Sequence, residues 1–193
     1  MPPDTLRHMP EHPDVHPART SNEDSEAALA VREHPAVLRV RQALKDGQVP
    51  ASVVVLDEHA STAAAAAQQL GVQVAQIANS LVFAVPDDDA PGDRRALLVM
   101  TSGAHRVDTS RVAAILGVDR LERADPALVR SATGFAIGGV APVGHPAPLQ
   151  TLVDVTLAEH SQVWAAAGHP RAVFRTSYGQ LLRLTGGQAA EVA

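Results

Sequence analysis

The connections in this chain limit its fold more than any other feature. Two pairs of short apolar runs are joined by loops too short to hold a crossover helix. Residues 81–85 and 96–101 are separated by the turn-rich segment PDDDAPGD, and residues 162–167 and 172–176 by Gly168-His169-Pro170-Arg171. Parallel neighbours need a connection of a dozen or more residues, whereas antiparallel strands close across a tight turn. Both pairs are therefore expected to be antiparallel hairpins. Val53-Val54-Val55-Leu56 and residues 149–153 read as further strands. Helical signals lie between them. Val37, Leu38, Val40 and Leu44 form a stripe closed by Gly47, and Ser61 or Thr62 caps an alanine-rich helix ended by Gly71. Asp108 or Thr109 caps a helix ended by Gly117, Asp125-Pro126 opens another, and Ser177 caps a last one carrying Leu181, Leu182 and Leu184. The expected class is α/β (α+β), with a mixed, largely antiparallel sheet and flanking helices. A doubly wound parallel sheet is disfavoured.

At 193 residues the chain suits one domain with a tail. Residues 1–30 hold five prolines and no apolar period, so they read as a disordered N-terminal tail, with the domain over 31–193 and ordered structure from near His34. His8, His12 and His16 would share a helical face, but Pro10, Pro13 and Pro17 oppose that helix, and a solvated tail is the expectation. Six of the acids and only Arg7 and Arg19 fall in residues 1–30. The rest of the chain is nearly balanced, with 15 acids against 14 bases. No broad basic field exists to hold nucleic acid non-specifically, so an RNA contact would have to be local, such as a tRNA end. Cysteine is absent, which excludes disulfides, thiolate metal sites and cysteine nucleophiles. With aromatic residues at 3%, the core has to be aliphatic. There is no apolar run of membrane-spanning length and no apolar leader, so the expected location is the cytoplasm. The run Asp87-Asp88-Asp89 reads as a solvated loop tip rather than a cation site.

The stretch from Thr133 to His145 is the most informative. It holds Gly134, Gly138, Gly139 and Gly144 together with Pro142. Such a segment makes a poor helix or strand. It makes a good rigid loop whose amide N–H groups face outward, able to bind a carbonyl oxygen, a carboxylate or a phosphate. A tight structural turn is the competing reading.

The pattern extends beyond this loop. Thr62 leads into an alanine-rich helix and Leu70-Gly71-Val72. Then follow Gln76-Ile77-Ala78-Asn79-Ser80-Leu81-Val82-Phe83, Val99-Met100-Thr101-Ser102-Gly103 and Arg106-Val107-Asp108. Thr133-Gly134-Phe135 precedes Gly138-Gly139-Val140-Ala141-Pro142-Val143-Gly144, and Asp154 with Leu157 and then residues 165–168 complete the series. In this order, over residues 34–187, the chain resembles the YbaK/EbsC-type aminoacyl-tRNA deacylases, trans-acting editing proteins related to the insertion domain of bacterial prolyl-tRNA synthetases. The resemblance implies a partly barrel-like sheet and a pocket for the aminoacyl-adenosine end of a mischarged tRNA. It implies hydrolysis of the ester at the terminal ribose, without metal or cofactor. Implied partners are the acceptor end of an aminoacyl-tRNA and an aminoacyl-tRNA synthetase, with no DNA and no membrane, and the chain a monomer or homodimer. Asn79, Gly138 and Asp154 are the catalytic candidates. Ser80, Thr101, Ser102, Gly103, Gly139, Pro142, Gly144, His145 and Gly168 are the substrate-binding ones, with Thr101, Ser102 and Gly103 expected on the wall opposite the glycine loop.

One departure stands out. Many members of that family carry lysine where this chain has Asn79. Asparagine can donate and accept hydrogen bonds but holds no charge against a phosphate or an oxyanion. A non-catalytic module that binds an aminoacyl or nucleotide end therefore stands beside the hydrolase reading. His145 has the pKa class for acid–base work but could equally pack beside Pro146. Asp154 could contact substrate or cap a backbone. Trp164 reads as packing rather than a base platform. His59, His105, His160 and His169 show no metal-ligand spacing and read as surface or pocket-rim residues.

Overall fold

The alternation of apolar residues in one strand explains how the molecule is layered. Leu97, Leu98, Val99 and Met100 are all fully buried, so the strand that carries them is covered on both faces. Successive side chains of a strand point to opposite faces. Leu98 and Met100 enter one core cluster, and Leu97 and Val99 enter another. Each such side chain contributes roughly 1.5–3 kcal/mol by leaving water.

The computed structural model describes residues 25–50, 52–86 and 94–193. The tail histidines His8, His12 and His16 and the run Asp87-Asp88-Asp89 lie outside the described residues. The elements in chain order are α1 (Glu26–Arg32), α2 (Pro35–Asp46), β1 (Val53–Val55), α3 (Ala63–Leu70), a 3₁₀ turn (Val74–Gln76), β2 (Ile77–Pro86), β3 (Arg94–Ser102) and α4 (Thr109–Leu116). They continue with β4 (Glu122–Arg123), α5 (Pro126–Thr133), β5 (Gln150–Asp154), a second 3₁₀ turn (Val155–Glu159), β6 (Val163–Ala166), β7 (Ala172–Thr176), α6 (Tyr178–Thr185) and β8 (Gln188–Ala190). Among the described residues, regular structure is already present at Glu26–Arg32, ahead of the expected start near His34. Ser25 caps α1 by accepting the N–H of Ala28.

The strands form one mixed sheet in the order β1-β7-β6-β2-β3-β5-β8, with β4 also on β2. Both expected hairpins are present, β2 with β3 and β6 with β7, and β1 with β7 and β2 with β4 are antiparallel as well. The pairs β2 with β6, β3 with β5, and β5 with β8 are parallel. The sheet ends at β1 and β8 and does not close into a full barrel. On one face, α2, α5 and α6 supply Val37, Val40, Leu44, Val129 and Leu181 to a core that also buries Phe135 and Phe174. On the other, α4 packs Val112 over Leu97 and Val99, and α3 packs Ala66 and Ala67 beside Ile77 and Leu56.

The caps follow from the sequence. Thr62, Asp108, Asp125 and Ser177 each accept a backbone N–H in the first turn of α3, α4, α5 and α6.

Candidate active site

Strand β2 is paired along its length with β3 on one side. On its other side, β6 pairs only Ile77 and Ala78, and β4 only Phe83 and Ala84. Asn79, Ser80, Leu81 and Val82 therefore have no strand partner on that edge among the described residues. The sheet is split there, and a cleft of about 350 Å³ occupies the split. That is the lower end of the range for small-molecule sites.

Asn79 and Ser80 line the cleft from β2, Trp164 and Ala165 from β6, and Arg123 from β4. Gly138 and Val140 border it from the glycine loop, and His169 and Pro170 from the β6–β7 turn. Thr62, which caps α3, and Ala66 within that helix add a further wall. The Asn79 side chain is half-buried and makes no hydrogen bond to another described residue. Arg123 carries the permanent charge of the lining, and no aspartate or glutamate contributes to it among the described residues.

The glycine loop is held from behind. The Arg39 guanidinium of α2 lies 5.0 Å from the Phe135 ring centre and donates to the Gly134 carbonyl at 2.8 Å. Gly138 adopts φ +90°, a conformation that costs other residues strain, and a Cβ there would approach His59 and Pro170. The Gly139 N–H is spent on the Ala136 carbonyl at 3.1 Å, and its backbone crosses that of Gly168 and His169 closely. The N–H groups of Gly138 and Val140 find no protein acceptor among the described residues.

The sequence profile of the aminoacyl-tRNA editing domain matches residues 57–184, a span that takes in Asn79, Arg123 and Gly138. The chain belongs to this family. The editing domain is similar to several known proteins. The uncharacterized protein YwhH of Bacillus subtilis is 28% identical over 116 residues, 60% of this chain and 69% of YwhH. A crystal structure provisionally assigned as a trans-editing enzyme for prolyl tRNA synthetase aligns with TM-score 0.73 and 42% identity, covering 82% of this chain and 96% of the other. A protein from work on grafting linear epitopes onto scaffold proteins aligns with TM-score 0.74 and 39% identity, over 82% and 97% of the two chains. The editing-domain family and the likeness to the trans-editing structure support a role in tRNA editing.

Other residues singled out from the sequence lie away from the cleft of this editing domain. Thr101 and Ser102 end β3 almost fully buried and do not form the opposite wall. They bind Asp154 instead, which is 1% exposed. Its carboxylate accepts from the Thr101 hydroxyl (3.2 Å), the Ser102 N–H (3.1 Å), His105 Nδ1 (3.1 Å), the Thr156 N–H (3.1 Å) and the Thr156 hydroxyl (2.8 Å). Burial pushes its pKa up, but the Ser102 and Thr156 N–H groups, the Thr156 hydroxyl and His105 together hold it below the ordinary carboxylate value. This is the anchoring role that the sequence left open beside a catalytic one. Gly103 packs against the Val74 carbonyl and Ala63. Pro142, Gly144 and His145 border a separate surface depression against α2 and α6. His145 Nε2 donates to the Ala141 carbonyl at 2.8 Å, and its ring meets Phe135 edge-on. Burial lowers its pKa, partly offset by that carbonyl.

Trp164, Arg123 and Thr62 were not singled out for the site from the sequence. A buried-strand pattern hid Trp164. Arg123 belongs to a two-residue strand without a periodic signal.

Proposed function

We propose that this editing domain is a trans-acting deacylase. It hydrolyses the ester that joins a wrongly attached amino acid to the terminal ribose of a tRNA. The observation that carries this reading is the meeting of Asn79 and the unpaired amides around Gly138 on one small, largely apolar cleft without a carboxylate. The amino acid enters among Ala66, Ala165 and Val173, and the ribose stands between β2 and the glycine loop. The Gly138 or Val140 N–H and the Asn79 amide donate to the ester carbonyl as it becomes an oxyanion. With no carboxylate in the lining to serve as general base, a hydroxyl of the substrate's own ribose assists the attacking water. Most of the rate comes from holding the ester in place. An aminoacyl-tRNA synthetase is the proposed source of the mischarged substrate.

Deacylation assays over a panel of mischarged tRNAs test this reading. At least one should release its amino acid, and Asn79→Ala should lower kcat by about 10²-fold, the usual effect of losing one oxyanion donor. A folded protein that releases nothing from any tRNA rejects it. The neutral Asn79 favours a second reading, a module that binds the aminoacyl end without cleaving it. Gain of turnover in Asn79→Lys from an inactive parent would establish that second reading. Loss of turnover from an active parent would establish the first.

A further inference from the structure

Three imidazoles from three separate segments converge beside the glycine loop, one of them on the cleft wall. His169 stands in the β6–β7 turn and lines the cleft. Its ring centre is 5.3 Å from that of His34, the residue that caps α2. His59, in the segment after β1, brings Nε2 to 3.9 Å from the position a Cβ would occupy on Gly138.

The hydrogen bonds of these rings fix where their protons sit. His34 Nδ1 accepts the Ala36 N–H at 3.2 Å, and His169 Nδ1 accepts the Arg171 N–H at 3.1 Å. A ring nitrogen that accepts carries no proton, so in the neutral rings the proton is on Nε2. Both rings therefore carry a donor on Nε2. After burial, the groups acting on His169 are His34, Arg171 and His59, all of one sign, and together they hold its pKa below the ordinary value. Glu33, Asp57 and Glu58, the carboxylates next to His34 and His59 in sequence, are not among them. Arg171 is kept close because its Nε donates to the Leu56 carbonyl at 2.9 Å. The first turn of the 12-residue α2 adds its positive end to the same place. A metal ion is not the fitting occupant, because no group of three or more histidines or carboxylates among the described residues is arranged to hold one. Donors with like charges around them call for an anion with several acceptor oxygens.

We infer that His34, His59 and His169 form an anion subsite that takes a phosphodiester of a single-stranded RNA end as it passes Gly138 into the cleft. The inference rests on the deacylase reading for the identity of that RNA, the acceptor end, but its test does not depend on turnover. The occupant is a phosphodiester because His169 lines the cleft and the other two rings cluster beside it, next to where a strand leading to a terminal nucleoside in the cleft would run.

Histidine-selective NMR on the full chain, titrated with a short RNA ending in CCA, reads the subsite directly. The ring signals of His34, His59 and His169 should move while those of His160 stay, and His169 should titrate at higher pH with RNA bound. His59→Ala and His34→Asn, the latter keeping a cap acceptor for α2, should together weaken RNA binding about tenfold. They should also flatten its logarithmic salt slope by about 0.7 for each phosphate that is no longer held. Circular dichroism and thermal melts check that both variants remain folded. Unmoved histidines, or unchanged RNA affinity in folded variants, would overturn the inference. Equal movement with inorganic phosphate at the same concentration would overturn the RNA assignment. Histidines that respond to RNA in a protein that deacylates nothing would retire the deacylase and leave the subsite standing. Deacylation with silent histidines would do the reverse.

Discussion

At the scale of single residues, Asp154 shows how a polar group can serve a site without entering it. It ties the end of β3 to β5, and Thr101, which it binds, is the register partner of Asn79. Asp154→Asn keeps the shape but loses the charge and mismatches its donors. It should cost about 1–3 kcal/mol in chemical denaturation. The pKa of Asp154 in the folded chain lies below the ordinary value of 3.8, so its contribution is complete above that pH and is lost as pH falls through the folded value. His145 acts earlier. Its folded pKa is lowered from 6.5, so below that pH the unfolded chain takes up a proton that the folded chain refuses, and stability declines until the folded ring also protonates. Melting temperatures measured across pH should show both declines, and His145→Gln should lessen the upper one, to which His169 also contributes, while leaving the lower one unchanged.

At the scale of elements, the two turns beside the cleft support each other. Gly168 has φ +88°, and a Cβ there would lie 2.7 Å from the Ala36 carbonyl oxygen and 3.0 Å from the Phe135 ring. Gly168→Ala should therefore destabilise the protein by about 1–3 kcal/mol. It should also raise KM, because the shifted turn carries His169 and presses on Gly139, an effect that melting curves and steady-state kinetics on the same variant would reveal. The elements themselves were largely legible. Caps such as Asp125-Pro126 and Ser177 act within a few residues, and both hairpins were marked by loop length. The short β4 and β8 were not, because two or three residues carry no period and their pairing is decided by distant partners. Among site residues, Asn79 and Gly138 came from motif order. Thr101, Ser102 and Asp154 lie off the cleft, against expectation, because strand alternation does not say which face a cleft will open on. The identity of Arg123 as a wall of the cleft depends on a register that no local pattern encodes.

At the scale of the whole molecule, two of the core clusters meet at the cleft and fix its width. The walls at Leu56, Ala66, Ile77 and Val173 belong to one of them. A space of about 350 Å³ bounded by packed side chains should discriminate by size. Each methylene beyond the best-fitting aminoacyl side chain should lower kcat/KM by roughly 10–200-fold, measurable over tRNAs charged with an aliphatic series.

The split beside β2 has a dynamic corollary. A strand in the middle of a sheet normally shields its amides from solvent, whereas outer strands leave half of theirs open. Residues 79–82 lie centrally yet face water on one side. Those of their N–H groups that point into the gap should exchange with deuterium at rates typical of a sheet margin, and a bound ligand should slow them.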